Sequence, residues 1–361
     1  MTGDLLPARA SPAGQGPSPG SAAGDRLPLG SALTGAIVVA LVRPLAWGLG
    51  LVSFLAGGGL VVLAVPILVL PTPTGLQNLL GGPLTSLVFG IPAGGLVALL
   101  AASVTGVALV LAAAVGLGAW AERRGVAVAL EAGAEEAICA PVSPDGAPGV
   151  GPVTTLRLAA LLPPVLVLMV AARQIYDVTY HELILPEDLA TPLPLRVVLA
   201  LPVPVLALVV AWLLADSAAA FSVRHLLLER TSVLRAWLAG WVALVRRPVR
   251  VLGTSLFGIL VMVVLVGPAL VASAVGWTKV RDILLAERDP GATLLAVVVW
   301  VAIWLGSLVL AAVAAAVRAS AFTLAAAPAP APASAPASQA PGAVSSDTSS
   351  DASITAPTPG S

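Results

Sequence analysis

The amino-acid sequence predicts an all-α integral membrane protein, a polytopic bundle of about six transmembrane helices with both termini on the cytoplasmic side. Three observations support this fold class. Hydrophobic residues make up 58% of the chain and charged residues only 10%, whereas a soluble domain carries about 25% charged residues. Six apolar stretches lack ionisable side chains, and the arginines concentrate in alternate loops between them. So few polar residues cannot cover a water-facing surface.

Each apolar stretch predicts one transmembrane helix, because about 20 apolar residues cross about 30 Å of hydrocarbon. We place the spans near residues 45–70, 92–119, 155–175, 196–216, 251–275 and 292–317. The third is the shortest, with 15 charge-free residues between Arg157 and Arg173. These two arginines can extend their charged ends into the interface, so a slightly longer helix still crosses. Together the spans predict a transmembrane domain over residues 31–326.

The two ends of the chain differ in composition from the predicted spans. Residues 1–30 are rich in Pro, Gly, Ser and Ala, and residues 327–361 form an Ala-Pro and then Ser-Thr tail. Neither has a periodic apolar pattern, so both tails are predicted to be disordered. The single cysteine, Cys139, cannot form an intramolecular disulfide, so packing must hold the domain together.

The basic residues predict the orientation, because cytoplasmic loops retain an excess of Lys and Arg during insertion. With six spans and the N-terminus inside, 13 basic residues are cytoplasmic and five are external. The cytoplasmic set is Arg9, Arg26, Arg43, Arg123, Arg124, Arg157, Arg224, Arg230, Arg235, Arg246, Arg247, Arg250 and Arg318. The 17 arginines and one lysine, with abundant Ala, Gly, Pro and Val, are typical of a high-GC bacterium. We therefore expect the bacterial cytoplasmic membrane.

The segment 221–250 predicts a cytoplasmic amphipathic arm that lies on the membrane surface, because its seven charges are too many for a span. On a continuous helix, Arg224, Arg235 and Arg246 fall within about 40° of one another, while Trp237 and Trp241 point away from them. Arginines facing anionic headgroups and tryptophans at the acyl boundary are typical of an interfacial helix.

Two alternatives to this continuous surface helix remain open. Thr231-Ser232 could start a new helix, in which case only residues 232–246 keep the amphipathic geometry. The tryptophan face could also pack on the protein's own bundle rather than in lipid.

A short segment at the start of the first span is echoed at the start of the fifth. Residues 39–44 read Val-Ala-Leu-Val-Arg-Pro, and residues 242–248 read Val-Ala-Leu-Val-Arg-Arg-Pro. Both copies lead into a span from the cytoplasmic side, as a parallel internal repeat requires. A chain rich in Val, Ala and Leu also matches itself by chance, so both explanations stay open.

A resemblance to known proteins rests on the last 150 or so residues. The arginine-bearing arm passes through Arg246-Arg247-Pro248 into a span, and a final span leads to a polar tail. This resembles the bacterial multi-pass families related to the membrane domain of some glycerophosphodiester phosphodiesterases. The resemblance implies a six-helix membrane domain of no known activity. The sequence has no counterpart of their soluble catalytic domain, so phosphodiesterase activity is not implied.

Residues with catalytic or metal-binding chemistry are few. Asp177 and His181 lie one helical turn apart in an external loop, and such a pair could bind a metal or act as base and orienter. The alternative is a polar interfacial loop with its tyrosines at headgroup level. No phosphate-binding loop, serine-hydrolase elbow or credible dinucleotide fingerprint occurs. We therefore expect no cofactor and no enzymatic activity.

The remaining features bear on transport and partners. The six apolar stretches contain none of the ionisable groups that ion-coupled transporters need at membrane depth. Prolines at 163–164, 202 and 204 interrupt the third and fourth spans, which could mark a transport site or simple helix kinks. The formal net charge of zero gives no attraction for nucleic acid. The expected function is a non-catalytic accessory or scaffold protein that engages membrane lipids or other membrane proteins; the alternatives are a permease-like protein and, more weakly, a metal-dependent hydrolase.

Overall fold

A computed structural model describes residues 26–68, 93–142, 147–184, 193–285 and 290–330. These residues form helices and contain no β-strand, which confirms the all-α prediction. The helices are α1 (Leu29–Val42), α2 (Pro44–Phe54), α3 (Leu60–Leu68), α4 (Ala93–Glu135), α5 (Val150–Ala159), α6 (Leu162–Ile184), α7 (Leu193–Ala200), α8 (Pro202–Glu229), α9 (Val233–Arg246), α10 (Pro248–Leu285) and α11 (Pro290–Ala326). Most of both predicted disordered tails, residues 1–25 and 331–361, lies outside the described residues.

Among the residues that the structure describes, six helical segments are long and apolar enough to cross a membrane, which agrees with the six predicted spans. They are Pro44–Ala64, Val97–Glu135, Val150–Glu182, Pro202–Glu229, Pro248–Ile283 and Gly291–Ala326. Each overlaps one predicted span. The short third stretch is extended at both ends, as the flanking arginines suggested, and its segment combines α5 and α6.

Several helices extend well beyond the thickness of a bilayer. With 43, 38 and 37 residues, α4, α10 and α11 are roughly 55–65 Å long, about twice the hydrocarbon thickness. One part of each helix has exposed apolar side chains, as a lipid-facing surface requires, and the other part is buried against the rest of the chain. The bundle therefore consists of an apolar layer and a packed end.

The packed end contains α1, α5, α9, the C-terminal parts of α4, α8 and α11, and the start of α10. Its largest fully buried apolar side chains include Val39, Val153, Leu156, Phe221, Val223, Leu226, Val251 and Leu324. The described arginines predicted to be cytoplasmic also belong to this end. We call this part of the molecule the arginine-rich end.

Prolines define where several helices begin. Pro44, Pro202 and Pro248 are the first residues of α2, α8 and α10, a position where the missing N–H of proline has no helical partner to lose. Pro163-Pro164 lies in the first turn of α6, after a break at residues 160–161. The prolines that interrupt the third and fourth spans in the sequence therefore mark helix starts.

The first span has its own interruption. A π-helical turn, Leu55–Gly59, separates α2 from α3, and Gly58 within it has a φ of 99°. Such a backbone conformation favours glycine, because a side chain there would be strained. The run Gly57-Gly58-Gly59 therefore allows the helix axis to change direction inside the span.

The two segments that match in the sequence belong to two helices of similar form. Helices α1 and α9 have 14 residues each, and each is followed by one non-helical arginine and a proline that starts the next helix. When the two are aligned at that break, one residue away from the match in the sequence, three buried positions coincide: Ala32, Ala36 and Ala40 in α1, and Ala236, Gly240 and Leu244 in α9. Gly35 and Val39 of α1 are also buried, and their counterparts in α9 are not. Helix α1 packs on α11, and α9 packs on α8. The internal repeat stays a prediction, because the burial patterns agree in part and in a register one residue away from the match in the sequence.

An arginine fastens the two ends of the described chain together. Arg250 of α10 donates hydrogen bonds from Nε and Nη2 to the carbonyl oxygen of Ala325, at 2.9 and 2.6 Å, and from Nη2 to that of Leu27, at 2.8 Å. The backbone N–H of Ala140 donates to the carbonyl of Pro328 at 3.2 Å. These bonds satisfy carbonyl groups at the end of α11 that have no helical partner.

Candidate functional site

Five ionisable side chains from four helices meet where the apolar layer joins the arginine-rich end. They are Glu122 of α4, Arg157 of α5, Asp216 and Arg224 of α8, and Arg318 of α11. We call them the charged cluster. Because consecutive spans run in opposite directions, residues distant in sequence reach the same level of the bundle.

Arg157 is the centre of the charged cluster. It binds Glu122 through two parallel hydrogen bonds, Nε to Oε2 at 2.7 Å and Nη2 to Oε1 at 2.6 Å, and donates from Nη1 to Asp216 Oδ1 at 3.1 Å. Arg224 contributes a second cation to Glu122, and Arg318 a second cation to Asp216. Each carboxylate is therefore shared by two guanidinium groups, an arrangement of strong charge-assisted hydrogen bonds.

Arg224 also binds the backbone and an aromatic ring. Its Nη1 donates to the carbonyl of Ala220 at 3.0 Å, and its Nη2 donates to that of Ala319 at 3.4 Å. The guanidinium carbons of Arg224 and Arg318 both lie 5.7 Å from the ring centroid of Phe322, a cation–π distance. These contacts connect α8 to α11.

The charged cluster has a closed side and a partly open side. The side chains of Glu122 and Arg224 are 4% and 2% exposed, whereas those of Asp216, Arg318 and Arg157 are 17%, 26% and 27% exposed. Three cations and two anions leave a formal charge of +1. Charges buried this deeply depend on one another, because an unpaired buried ion costs several kcal/mol.

Two tryptophans mark the level of the charged cluster. Trp212 of α8, one turn before Asp216, is 48% exposed, and Trp120 of α4, two residues before Glu122, is 41% exposed. Beyond Asp216, α8 changes from exposed to almost continuously buried, from Ala215 to Leu227. Exposed tryptophans at such a transition are typical of the membrane–water interface.

The prediction that Arg224 faces the membrane surface with Arg235 and Arg246 is wrong. Arg224 is buried in α8 and paired with Glu122. Helix α8 ends at Arg230, which has a left-handed φ of 52°, and α9 begins after Ser232. The amphipathic register is therefore broken between the two helices, and only the alternative of a separate helix starting at Thr231-Ser232 agrees with the structure.

The other predicted surface residues lie on α9. Arg235 and Arg246 are exposed, whereas Trp237 and Trp241 are half-buried and pack against the core of the arginine-rich end. The centroids of the two indole rings lie 6.3 Å apart, and the rings pack edge to face. The tryptophans thus pack largely on the protein's own bundle, which was the second alternative from the sequence.

Helix α9 nevertheless has an exposed apolar face. Its buried side is narrow and consists of Ala236, Gly240 and Leu244. Gly240 lies so close to α8 that a Cβ there would be 2.4 Å from the Ala218 carbonyl oxygen. Opposite this side, four large apolar side chains are exposed: Leu234, Leu238, Val242 and Val245. At about 100° per residue they form an arc of about 80°, next to Arg235 and Arg246. We call this the open face of α9.

Asp177 and His181, the candidate metal ligands, are exposed near the C-terminal end of α6. Asp177 forms an ion pair with Arg173, with 3.8 Å between Nε and Oδ2. Tyr176 and Tyr180 stack on the same helix with ring centroids 6.1 Å apart. Within the residues that the structure describes, no three His, Cys, Asp or Glu side chains are grouped closely enough to hold a metal ion.

The helix break at Leu201 borders a small cavity between α6 and α8. Its volume is about 40 Å³, close to the space for one or two water molecules. All its lining residues are apolar: Val167, Leu168, Ala171, Ile175, Leu201, Pro204, Val205 and Leu208. This cavity offers no polar group to bind a solute.

No family model, curated protein or solved structure matches this chain. The resemblance to the membrane domain of glycerophosphodiester phosphodiesterases therefore stays a prediction. The six long apolar helices define the class of the protein, a multi-pass α-helical membrane protein.

Proposed function

We propose that this protein is a non-catalytic accessory or scaffold component of the bacterial cytoplasmic membrane that engages lipids through α9. The observation that carries the proposal is the open face of α9. One side of this helix is fixed to α8 by Ala236 and Gly240, while large apolar side chains on the other side are exposed beside arginines. A helix with this distribution gains free energy at a membrane surface from both apolar burial and anionic headgroups.

The charged cluster supports a structural rather than a reactive role for the ionisable residues at this end. Each carboxylate binds two arginines, and Glu122 and Arg224 are closed off from solvent. Neither carboxylate is left with the free, accessible oxygens that a general base uses. The charged cluster thus holds α4, α5, α8 and α11 together through its ion pairs.

We propose that the arginine-rich end is cytoplasmic, in agreement with the distribution of basic residues in the sequence. A reporter that is active only outside the cytoplasm, fused after Ser361, should be inactive. The same reporter fused between α6 and α7, near residue 188, should be active and serves as the positive control. An active fusion at Ser361 would contradict either the orientation or the even number of crossings.

Spin labelling tests the contact of α9 with lipid. In a Cys139→Ala background, nitroxides attached at Leu238→Cys and Val242→Cys should collide more with oxygen than with a water-soluble nickel reagent in liposomes. A label at Arg124→Cys, an exposed position of α4 at the same end, is the aqueous control. If both α9 labels match the control, the open face of α9 does not contact lipid and the proposal fails.

A permease-like protein is the second candidate, because the first span is interrupted at Leu55–Gly59, the third at residues 160–161, and the fourth predicted span at Leu201. Substrate-dependent flux in proteoliposomes would favour it. A metal-dependent hydrolase is the weakest candidate, and it requires metal-dependent turnover that is lost on His181→Ala.

A further inference from the structure

We infer that the open side of the charged cluster binds one phosphate group of an anionic lipid, with Arg157 and Arg318 as the ligands. The inference deepens the proposed function and rests on it, because it requires this level of the bundle to face lipid headgroups. It concerns a discrete site, whereas the open face of α9 is a general contact with the membrane surface.

The charge balance of the cluster favours an anion. Three guanidinium groups meet two carboxylates, which leaves one positive charge without a partner among the described side chains of the cluster. A lipid phosphodiester carries one negative charge and would neutralise it. Arg157 and Arg318 are each about a quarter exposed, so the excess charge can be reached from outside, whereas Arg224 is closed off.

Arg318 has unused hydrogen-bonding capacity. A guanidinium has five N–H donors, and Arg318 uses Nη2 for Asp216. Its Nε has no hydrogen-bond partner in the described structure but is buried, so a phosphate from outside would be bound by the remaining N–H groups of the Nη atoms. The stem of Arg318 passes Gly258 of α10, where a Cβ would lie 2.7 Å from its Cγ. This close contact fixes the direction of the side chain, so its charged end is held beside Asp216.

The position of the cluster indicates where the phosphate comes from. Trp120 and Trp212 are exposed within one turn of Glu122 and Asp216, and exposed tryptophans lie at headgroup level in membrane proteins. On the apolar side, Leu158, Leu161 and Leu162 are exposed directly after Arg157. A lipid bound here can place its phosphate on the arginines and its acyl chains along these leucines.

Two substitutions that break the same ion pair separate binding from structure. Arg318→Gln reduces the formal charge of the cluster to zero, and Asp216→Asn raises it to +2. One arginine near an anionic headgroup changes binding by about fivefold. We therefore expect Arg318→Gln to weaken phosphatidylglycerol binding about fivefold and Asp216→Asn to strengthen it by a similar factor.

The measurement is native mass spectrometry of the full-length protein in detergent, titrated with phosphatidylglycerol. Wild-type protein should retain one molecule tightly, and phosphatidylcholine, which has no net charge, should be retained less. Arg247→Gln, at an exposed position between α9 and α10, should leave this single site unchanged. If the α9 spin labels show no contact with lipid while one lipid molecule is still retained at the charged cluster, the proposal for α9 fails and the lipid site at the cluster stands.

Opposite shifts for the two variants support the site. A loss of the bound lipid in both variants shows that the pair is only structural and overturns the inference, as does equal retention in wild type and both variants. Inorganic phosphate or glycerol 3-phosphate that displaces the lipid at equal concentration points to a soluble phosphate ligand and overturns the lipid assignment. If Arg318→Gln does not fold, the direction of the change in Asp216→Asn decides, and Arg318→Lys should retain the lipid.

Discussion

Replacing Glu122 by Gln removes the carboxylate that two arginines share inside the arginine-rich end. Its side chain is 4% exposed and that of Arg224 is 2% exposed, so the remaining guanidinium cannot be solvated by water without local opening. Arg157 donates to both oxygens of Glu122, at 2.6 and 2.7 Å, and Gln keeps only one of these acceptors and places an amide NH2 at the other. Removing one partner of such a buried pair costs about 3–5 kcal/mol.

The matched control is Glu135→Gln, the same substitution in the same helix. Glu135 pairs with Arg43, but these two side chains are 59% and 41% exposed, and pairs of this kind contribute about 0–1 kcal/mol. Unfolding of the purified protein by SDS, followed by circular dichroism, should therefore separate the two variants by at least about 2 kcal/mol. Equal stabilities within about 1 kcal/mol would refute the reasoning.

A double variant tests the same interaction from the other direction. Glu122→Gln combined with Arg224→Met removes both charges, so no unpaired ion remains between them. We expect the double variant to be more stable than Glu122→Gln alone, because uncharged pairs of similar volume are often tolerated where a broken buried pair is not. A double variant less stable than the single one would show that Arg224 acts mainly through Ala220, Ala319 and Phe322.

Three further predictions concern packing at the same end. Gly50→Ala should lower the free energy of unfolding in SDS by about 1–3 kcal/mol, because the added Cβ would lie 2.7 Å from a backbone nitrogen of α11. The control is Gly48→Ala, which has open space around it and should have little effect. Equal losses of stability in the two variants would contradict the close contact between the helices. Cys139 is 2% exposed, and burial raises the pKa of its thiol. Maleimide should therefore label Cys139 slowly at neutral pH until SDS unfolds the protein. Rapid labelling of the folded protein would show that this core opens. Arg250→Met should speed trypsin cleavage after Arg26, because it removes the hydrogen bond from Arg250 to the carbonyl oxygen of Leu27. Arg247→Met, at an exposed neighbouring position, should leave the cleavage rate unchanged. Equal cleavage rates in the two variants would show that Arg250 does not hold the N-terminal segment in place.

The spans were predictable because a membrane imposes a simple length and composition requirement. All six predicted stretches overlap helical segments long enough to span, although the first and third are interrupted. The sequence placed the end of the second near residue 119, whereas α4 continues to Glu135. Charges at residues 122–124 mark the end of the apolar layer but do not end the helix. The extension is helical because it packs on α1, α5 and α11, a tertiary reason that the apolar pattern does not contain.

The positions of four residues of the charged cluster follow a pattern that is visible in the sequence. Arg157 and Asp216 directly flank apolar stretches, as do Arg318 and, one residue further, Glu122. Consecutive spans in opposite directions bring these flanking residues to one level of the bundle, and their charges alternate in sign along the chain. Arg224 had no such signal, because it lies eight residues beyond Asp216 and its burial depends on α11.

The sequence by itself determined the class of the protein, the number of spans and the arginine asymmetry, since these follow from the cost of placing charges and unpaired backbone groups in hydrocarbon. Only the tertiary structure decided which arginines are buried and which are exposed. Arg224 and Arg235 look alike along the chain, but the break between α8 and α9 turns one toward Glu122 and leaves the other outside. Helix periodicity holds within one helix, and a single left-handed residue, Arg230, resets it.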